Sequence, residues 1–230
     1  MRVAAGTSGF SYKEWQGTFY PEKFAASRML QFYAERLQTV ELNNTFYRMP
    51  NEALIRGWNE RTPEHFRFVL KAPRQMTHIK KLADCAAPLA RFTEVAATLG
   101  EKLGPLLFQL PPTFQRDVER LDGFLSGLPK GVRAAFEFRH PSWVDPSTYE
   151  VLRARGAALC IAEVDAEEPP AIVATANFGY LRLRRENYTE AEIAAWAERV
   201  RAQPFDEVYV FFKHEVRAPA LALALLEHFR

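Results

Sequence analysis

The sequence predicts an α/β fold: a TIM-like (β/α)8 barrel formed by residues 1–230 as one domain, slightly irregular at one crossover that lacks a regular helix. Three observations predict it. Eight short apolar runs alternate with segments of helical period, the pattern of a parallel sheet with crossover helices. No Gly-rich phosphate turn follows the first run, which argues against an open, doubly wound sheet. Several runs also alternate apolar and charged residues with period two. In Ala134-Ala135-Phe136-Glu137-Phe138-Arg139, the two Phe share one face while Glu137 and Arg139 share the other. A strand buried on both faces is normally apolar on both, whereas a barrel strand has one face on the helices and one on the lumen.

Taken in order, the first strand spans Val3–Thr7 and opens into an aromatic loop from Gly9 to Pro21. Ser27 is placed to cap a helix whose inner face is Met29, Leu30, Tyr33 and Leu37. Thr39–Asn43 is the second strand, and Asn51 caps a short helix carrying Leu54, Ile55 and Trp58. Arg67–Lys71 is the third strand, after which Asp84 opens a helix with the apolar line Leu89, Phe92, Ala96 and Leu99. The fourth strand, Leu106–Gln109, stops at Pro111-Pro112, and a helix runs from Asp117 to Leu128. The fifth strand lies near Arg133–Arg139, followed by Asp145-Pro146, an N-cap with proline in the first turn, and inward Tyr149 and Leu152. Ala158–Glu163 is the sixth strand, and residues 164–177 show no helical period. Gly179–Arg184 is the seventh strand, Thr189 and Glu192 form a capping box, Glu207–Lys213 is the eighth strand, and Pro219 begins the last helix.

Composition narrows the function less than the fold. The chain is 48% hydrophobic and 25% charged with a net charge of +2, ordinary for a globular domain. That balance by itself points to neither nucleic acid nor membrane. The longest apolar run, Ala218 to Leu226, is too short to span a bilayer, and Met1-Arg2-Val3-Ala4-Ala5-Gly6 lacks a signal-peptide core. Cys85 and Cys160 have neither metal-ligand nor disulfide spacing and read as small buried side chains. A cytoplasmic location is expected.

With the greasy faces turned to the helices, the lumen receives Thr39, Glu41 and Asn43, Val69 and Lys71, Gln109, Glu137 and Arg139, Glu163, Tyr180, Arg182 and Arg184, and Lys213 followed by His214. Most of these stand at C-terminal strand ends, where such barrels keep their chemistry. Glu41, Lys71, Glu137 and Glu163 are the candidate catalytic residues. One of the converging carboxylates is expected to serve as a base held ionised by a neighbouring Lys or Arg, while a raised pKa on another supplies an acid. Glu137 is the foremost candidate, its charge strained against Glu41 or Glu163. Lys71 is a candidate Schiff-base amine if neighbouring cations lower its pKa. Loop aromatics collect on the same face, and Trp15, Tyr47 and Trp143 join Asn43, Gln109, Arg139, His140, Arg182, Arg184 and Lys213 as candidate substrate-binding residues. Rings beside Arg and Lys suit a sugar or nucleobase held together with an anion.

A divalent metal is the one cofactor these residues would admit, held by His140 and His214 with carboxylates; the absence of His-x-His or His-Glu-x-x-His spacing counts against it. No Gly-x-Ser-x-Gly elbow, phosphate loop or nucleotide fingerprint occurs. Two readings follow. One is an enzyme of acid–base, or metal-assisted, chemistry on a small anionic, phosphorylated or sugar-containing substrate. The other is a non-catalytic protein whose basic, aromatic mouth binds nucleic acid or another anion. None of these residues specifies a reaction or an oligomeric state.

The motifs also resemble a known family. Gly6-Thr7-Ser8-Gly9-Phe10-Ser11-Tyr12 with Trp15, Gly17 and Phe19-Tyr20-Pro21 is similar to the opening of the domain of unknown function 72 family, the YecE-like proteins. Val40-Glu41-Leu42-Asn43-Asn44-Thr45-Phe46-Tyr47, Phe66 to Arg74, Leu107 to Pro112 and Glu137 to Trp143 continue the likeness along almost the whole chain. The resemblance implies a TIM-like barrel and a bacterial or archaeal cytoplasmic protein, and it implies no activity. The C-terminal third departs from the family pattern. Where members often carry Tyr-x-Arg-x-His-Gly, this chain has Tyr180-Leu181-Arg182-Leu183-Arg184-Arg185. Where their last strand commonly ends in asparagines, it has Lys213-His214-Glu215. Both changes make the mouth more basic.

Overall fold

Eight parallel strands close into a barrel in the order of the chain, so the first strand pairs with both the second and the last. A computed structural model describes residues 1–163 and 169–230. In it, β1 (Arg2–Ser8) leads through a loop into α1 (Ala26–Ala34), and β2 (Thr39–Leu42) is followed by the short α2 (Asn44–Tyr47) and by α3 (Glu52–Glu60). Next come β3 (Arg67–Lys71), a π-helical turn over Gln75–Ile79, α4 (Ala86–Ala97), β4 (Leu103–Gln109) and α5 (Val118–Ser126). The remaining elements are β5 (Ala134–Glu137), α6 (Pro146–Ala154), β6 (Ala158–Glu163), β7 (Phe178–Leu183), α7 (Glu190–Arg201), β8 (Glu207–Phe212) and α8 (Ala218–Glu227). Of the crossover expected to be irregular, residues 164–168 lie outside the described residues, and 169–177 form no helix.

Strand alternation produces two cores. Val40, Leu42, Phe68, Leu70, Phe108, Phe136, Leu181 and Leu183 point outward and are buried against the helices. Phe108 and Phe136 stack with their rings 5.1 Å apart. Each such side chain contributes roughly 1.5–3 kcal/mol on burial, so this layer carries most of the stability. The inward positions form a separate cluster in which small Ala4, Ala135, Ala158 and Cys160 accommodate Phe178, Tyr180, Tyr209 and Phe211. Both cysteines are buried and unpaired. Gly6 is required where β1 meets β2, since a Cβ there would collide with the Thr39 carbonyl. That close approach admits the Tyr33 hydroxyl, which donates to Thr39 O at 3.0 Å and accepts from Thr7 N at 2.9 Å.

The caps at Asn51, Asp117 and Asp145 and the Thr189–Glu192 box form as expected. Two others do not. The helix assigned to Ser27 starts at Ala26 without a side-chain cap, because its start is set by Met29, Leu30 and Tyr33 meeting the barrel. Asp84 adopts φ +47° in the left-handed region, and α4 begins only at Ala86. Tyr149 is only half-buried, with Thr148 and Leu152 facing in instead. Among the described residues, no helix is long and apolar enough to cross a membrane.

At the N-terminal end, the lumen is closed by a plug. Arg133 donates to Glu207 at 2.5 Å and to the Tyr209 hydroxyl at 2.9 Å, and lies 5.4 Å from the ring centres of both Phe178 and Tyr209. Arg2 approaches the other oxygen of Glu207 at 3.5 Å.

Candidate functional site

The opposite end of the lumen is polar for a reason visible in each strand. Inward positions begin small or apolar and finish polar: Ala4 to Ser8 on β1, Val69 to Lys71 on β3, Leu107 to Gln109 on β4, Ala135 to Glu137 on β5, Tyr180 to Arg182 on β7. Parallel registration brings these ends to one level, with Gln109 beside Glu137 and Ser8 beside Glu41.

Arg182 organises the level. Only 3% exposed, it donates through one terminal nitrogen to Glu41 at 2.8 Å and through the other to Glu137 at 2.5 Å. Glu41 also accepts from Ser8 at 2.9 Å, Asn43 at 3.0 Å and Tyr180 at 2.6 Å. Glu137 accepts from Gln109 at 2.6 Å and from Arg139 Nε at 3.0 Å. Burial alone would raise both carboxyl pKa values. Arg182 and the other donors outweigh it, holding Glu41 below its ordinary range and Glu137 near about 2. Both carboxyls are thus of the expected kind held ionised by a neighbouring Arg, and the expected strain of Glu137 against Glu41 is absent because a guanidinium sits between them.

Lys71 stands apart from this network. It is 9% exposed, and its ammonium lies 4.2 Å from the centre of the Phe46 ring. Among the described residues it makes no ion pair. Burial, then Arg182 and Arg139, lower its pKa to about 8 against the upward pull of Glu41 and Glu137. Arg184, just past β7, likewise makes no ion pair or side-chain hydrogen bond among the described residues, and burial followed by Arg182 depresses its pKa. Arg139 is 41% exposed, and its two terminal nitrogens are free of side-chain partners among the described residues. His78, in the π-helical turn, packs edge-on to Phe46 at 4.9 Å. Burial, then Lys71, Arg139 and Arg74, push its pKa down.

Several expected members lie elsewhere. Glu163 shares the parity of Leu159 and Ile161 and turns outward from the lumen, where Tyr188 donates to it and Arg185 lies 3.5 Å away. Trp15 is fully buried, its indole N–H donating to Glu215 O at 3.1 Å. Trp143 is buried too, stacked 4.5 Å from Phe138 and donating to Phe114 O at 2.7 Å. Both indoles roof the barrel and offer no face to a ligand. His140 turns back on its own chain, accepting from Ser142 N at 3.2 Å, so it does not face the lumen. Lys213 reaches the mouth but is paired with Glu215 at 2.6 Å. Tyr47 is 78% exposed on the rim, apart from the buried network. Asn43, Gln109, Arg139, Arg182 and Arg184 gather as expected around Glu41, Lys71 and Glu137.

Sequence reasoning misses Ser8, Tyr12 and His78 as site residues and places Tyr180 in the lumen without a role. The inward parity of β1 and β7 identifies Ser8 and Tyr180. Tyr12 donates to Ser8 O at 2.6 Å, and its pKa is raised to about 12 by burial and then by Glu41. His78 sits in a turn with no periodic signal. Among the described residues, no group of three or more His, Cys, Asp or Glu side chains is placed to hold a metal.

Known proteins share this barrel. The sequence profile described as "Protein of unknown function DUF72" matches residues 4–230. The chain belongs to the DUF72 family. UPF0759 protein YecE of Escherichia coli is 32% identical over 128 residues, which is 55% of this chain and 47% of the relative. UPF0759 protein YunF of Bacillus subtilis is 31% identical over 142 residues, 58% of this chain and 50% of the relative. The chain thus spans about half the length of the curated relatives it matches. A DUF72 family protein of Thermotoga maritima superposes with a TM-score of 0.86 at 29% identity, covering 100% of this chain and 99% of the other. One from Enterococcus faecalis, at 22% identity and a TM-score of 0.77 over 99% and 97% of the two chains, shares the fold.

Proposed function

We propose that this DUF72 chain is a cytoplasmic enzyme that binds a small anionic substrate at the C-terminal mouth of the barrel and moves protons there with Lys71. One observation carries the reading: two cations of the mouth, Lys71 and Arg184, have no ion-pair partner among the described residues. Among the described residues Arg182 and Arg139 pair with Glu41 and Glu137, and Lys213 with Glu215, which leaves Lys71 and Arg184 over. A purely structural network would pair its charges, because an unpaired buried charge costs several kcal/mol. A carboxylate or phosphate would supply the missing negative charge, with Arg139 and Arg184 as charge-assisted donors. The Phe46 ring, against Lys71, and the exposed Tyr47 next to it suit the apolar face of a sugar. Glu41 and Glu137, held ionised, orient and balance the site. Lys71, with a pKa of about 8, is the group that changes charge in the working range. Two unpaired thiols suit a reducing compartment.

Thermal melts with inorganic phosphate test this. Phosphate at ten times its Kd should stabilise the protein by about 1.4 kcal/mol, a shift of roughly 3–6 °C. Arg184→Met and Arg139→Met should each abolish most of that shift. An equal shift in both variants, or none in the parent, overturns the reading.

A second reading is favoured by the exposure of Tyr47, joined on the rim by Ile79 and Val144. These would stack and pack against a single-stranded nucleic acid crossing the mouth. Affinity for an oligonucleotide that falls steeply with salt, with a slope of several charges, would support it over a compact pocket.

A further inference from the structure

We propose that Lys71 forms an imine with the carbonyl carbon of a small aldehyde or ketone that also carries a carboxylate or phosphate, the anionic group resting on Arg139 and Arg184. The proposal deepens the anion-site reading and depends on it.

The placement of Lys71 is its first support. It ends β3, and its own carbonyl is fixed by the Thr45 hydroxyl at 2.7 Å, so the stem rises from a rigid base. The Phe46 ring covers one side of the amine and offers only its π face as a partner. Both nearby carboxylates are already engaged, Glu41 by four side-chain donors and Glu137 by three. Little therefore holds the ammonium form in place. The charged and titratable groups around the amine are Glu41, Glu137, Arg139, Arg182 and His78, and burial and the cations prevail, bringing its pKa to about 8. At about pH 7.5 such an amine has a roughly two-hundred-fold larger free-base fraction than an ordinary lysine. Free base is the nucleophile, and a lysine beside other cations is a recognised way to obtain it.

The step balances without a further reagent. The Nζ lone pair forms the N–C bond while the carbonyl π pair moves to oxygen. Both amine protons then end on that oxygen, which leaves as water as the N=C double bond forms. No oxidation takes place. The remaining cations hold the substrate's own anionic group, which explains why the mouth keeps the free end of Arg139 near an amine that electrostatics alone would not place there, with Arg184 in turn near Arg139.

Reductive trapping tests the inference. The full chain is incubated with glyoxylate, with glyceraldehyde 3-phosphate, or with uncharged propionaldehyde as a control, each with cyanoborohydride, which delivers hydride to the imine carbon. Digestion and mass spectrometry then locate the secondary amine among the eight lysines. One adduct per chain on Lys71 is expected, forming ahead of the other seven, with a half-maximal rate near pH 8 and faster with the anionic probes. Which of these two labels faster distinguishes a carboxylate substrate from a phosphate one. Lys71→Met should abolish the adduct. Arg184→Met should slow the anionic probes about tenfold, the loss of one charge-assisted contact, while sparing propionaldehyde; it keeps the test open if the Lys71 variant folds poorly. Labelling spread evenly over the lysines, or Lys71 labelling that needs about pH 10 like an ordinary lysine, overturns the proposal. If phosphate stabilises the parent but Lys71 is not trapped, the imine alone fails; if phosphate has no effect either, the anion site fails with it.

Discussion

The two ends of the lumen are built from the same kinds of residue and come out differently. At the N-terminal end, Arg133 and Arg2 share the carboxylate of Glu207 and the Tyr209 hydroxyl completes the set, so each cation there has an ion-pair partner. At the C-terminal end, Arg182, Glu41 and Glu137 form a buried ion-paired set too, but it has beside it Lys71, Arg184 and the free end of Arg139, which find no ion-pair partner among the described residues. One end is a stopper. The other is a stopper with cations left over. The lesson is that the charge outside the network, not the network itself, separates a site from a scaffold.

Removing the central guanidinium should give the largest effect. Arg182→Met leaves two buried carboxylates facing each other and should cost about 3–5 kcal/mol, on the order of 10 °C in melting temperature. Arg133→Met should cost clearly less, about 1–2 kcal/mol, because its side chain is 35% exposed and Glu207 retains Arg2. Equal losses in thermal melts would break the comparison.

Next in size is Glu137. Its folded pKa, about 2, lies below its ordinary 4.5, so its contribution is fully present above about pH 4.5 and is lost as pH falls toward 2. Glu137→Gln should lower stability at neutral pH by roughly 3 kcal/mol and flatten the acid side of the profile. Denaturant melts between about pH 6 and pH 2 measure both. A variant as stable as the parent would mean that Arg182 is satisfied by Glu41 alone.

The smallest effect, and opposite in sign, belongs to Lys71. Its folded pKa is lowered from 10.5 to about 8, so the unfolded chain binds the extra proton and stability rises with pH between those values. Lys71→Met should remove that alkaline rise and leave the protein unchanged or up to about 1 kcal/mol more stable at neutral pH. A loss of stability instead would place Lys71 inside the network.

Most of the barrel was legible because alternation along a strand is a local property. Glu41, Lys71, Glu137 and Arg182 are found by parity alone, since each shares a face with a small or apolar lumen residue. Glu163 was misread because a carboxylate on the greasy face of β6 makes sense only once Tyr188 is seen, 25 residues later. Trp15 and Trp143 failed for the same reason: their indole partners, the carbonyls of Glu215 and Phe114, are remote in sequence. Which face a strand residue takes is local; what satisfies a polar atom there is not.

The seam of the barrel has a consequence for how this protein is made. Arg2 registers with Glu207 and Thr7 with Phe212, and the indole of Trp15 reaches a carbonyl 200 positions away. Until β8 has been synthesised, β1 and β7 expose unpaired backbone edges, the kind of surface that invites pairing between chains. The bond from Arg182 to Glu41 also spans 141 positions, so the mouth can assemble only near the end of folding, at the slow, non-local stage. Nascent chains stalled before β8 should therefore be the ones that chaperones hold and proteases clear.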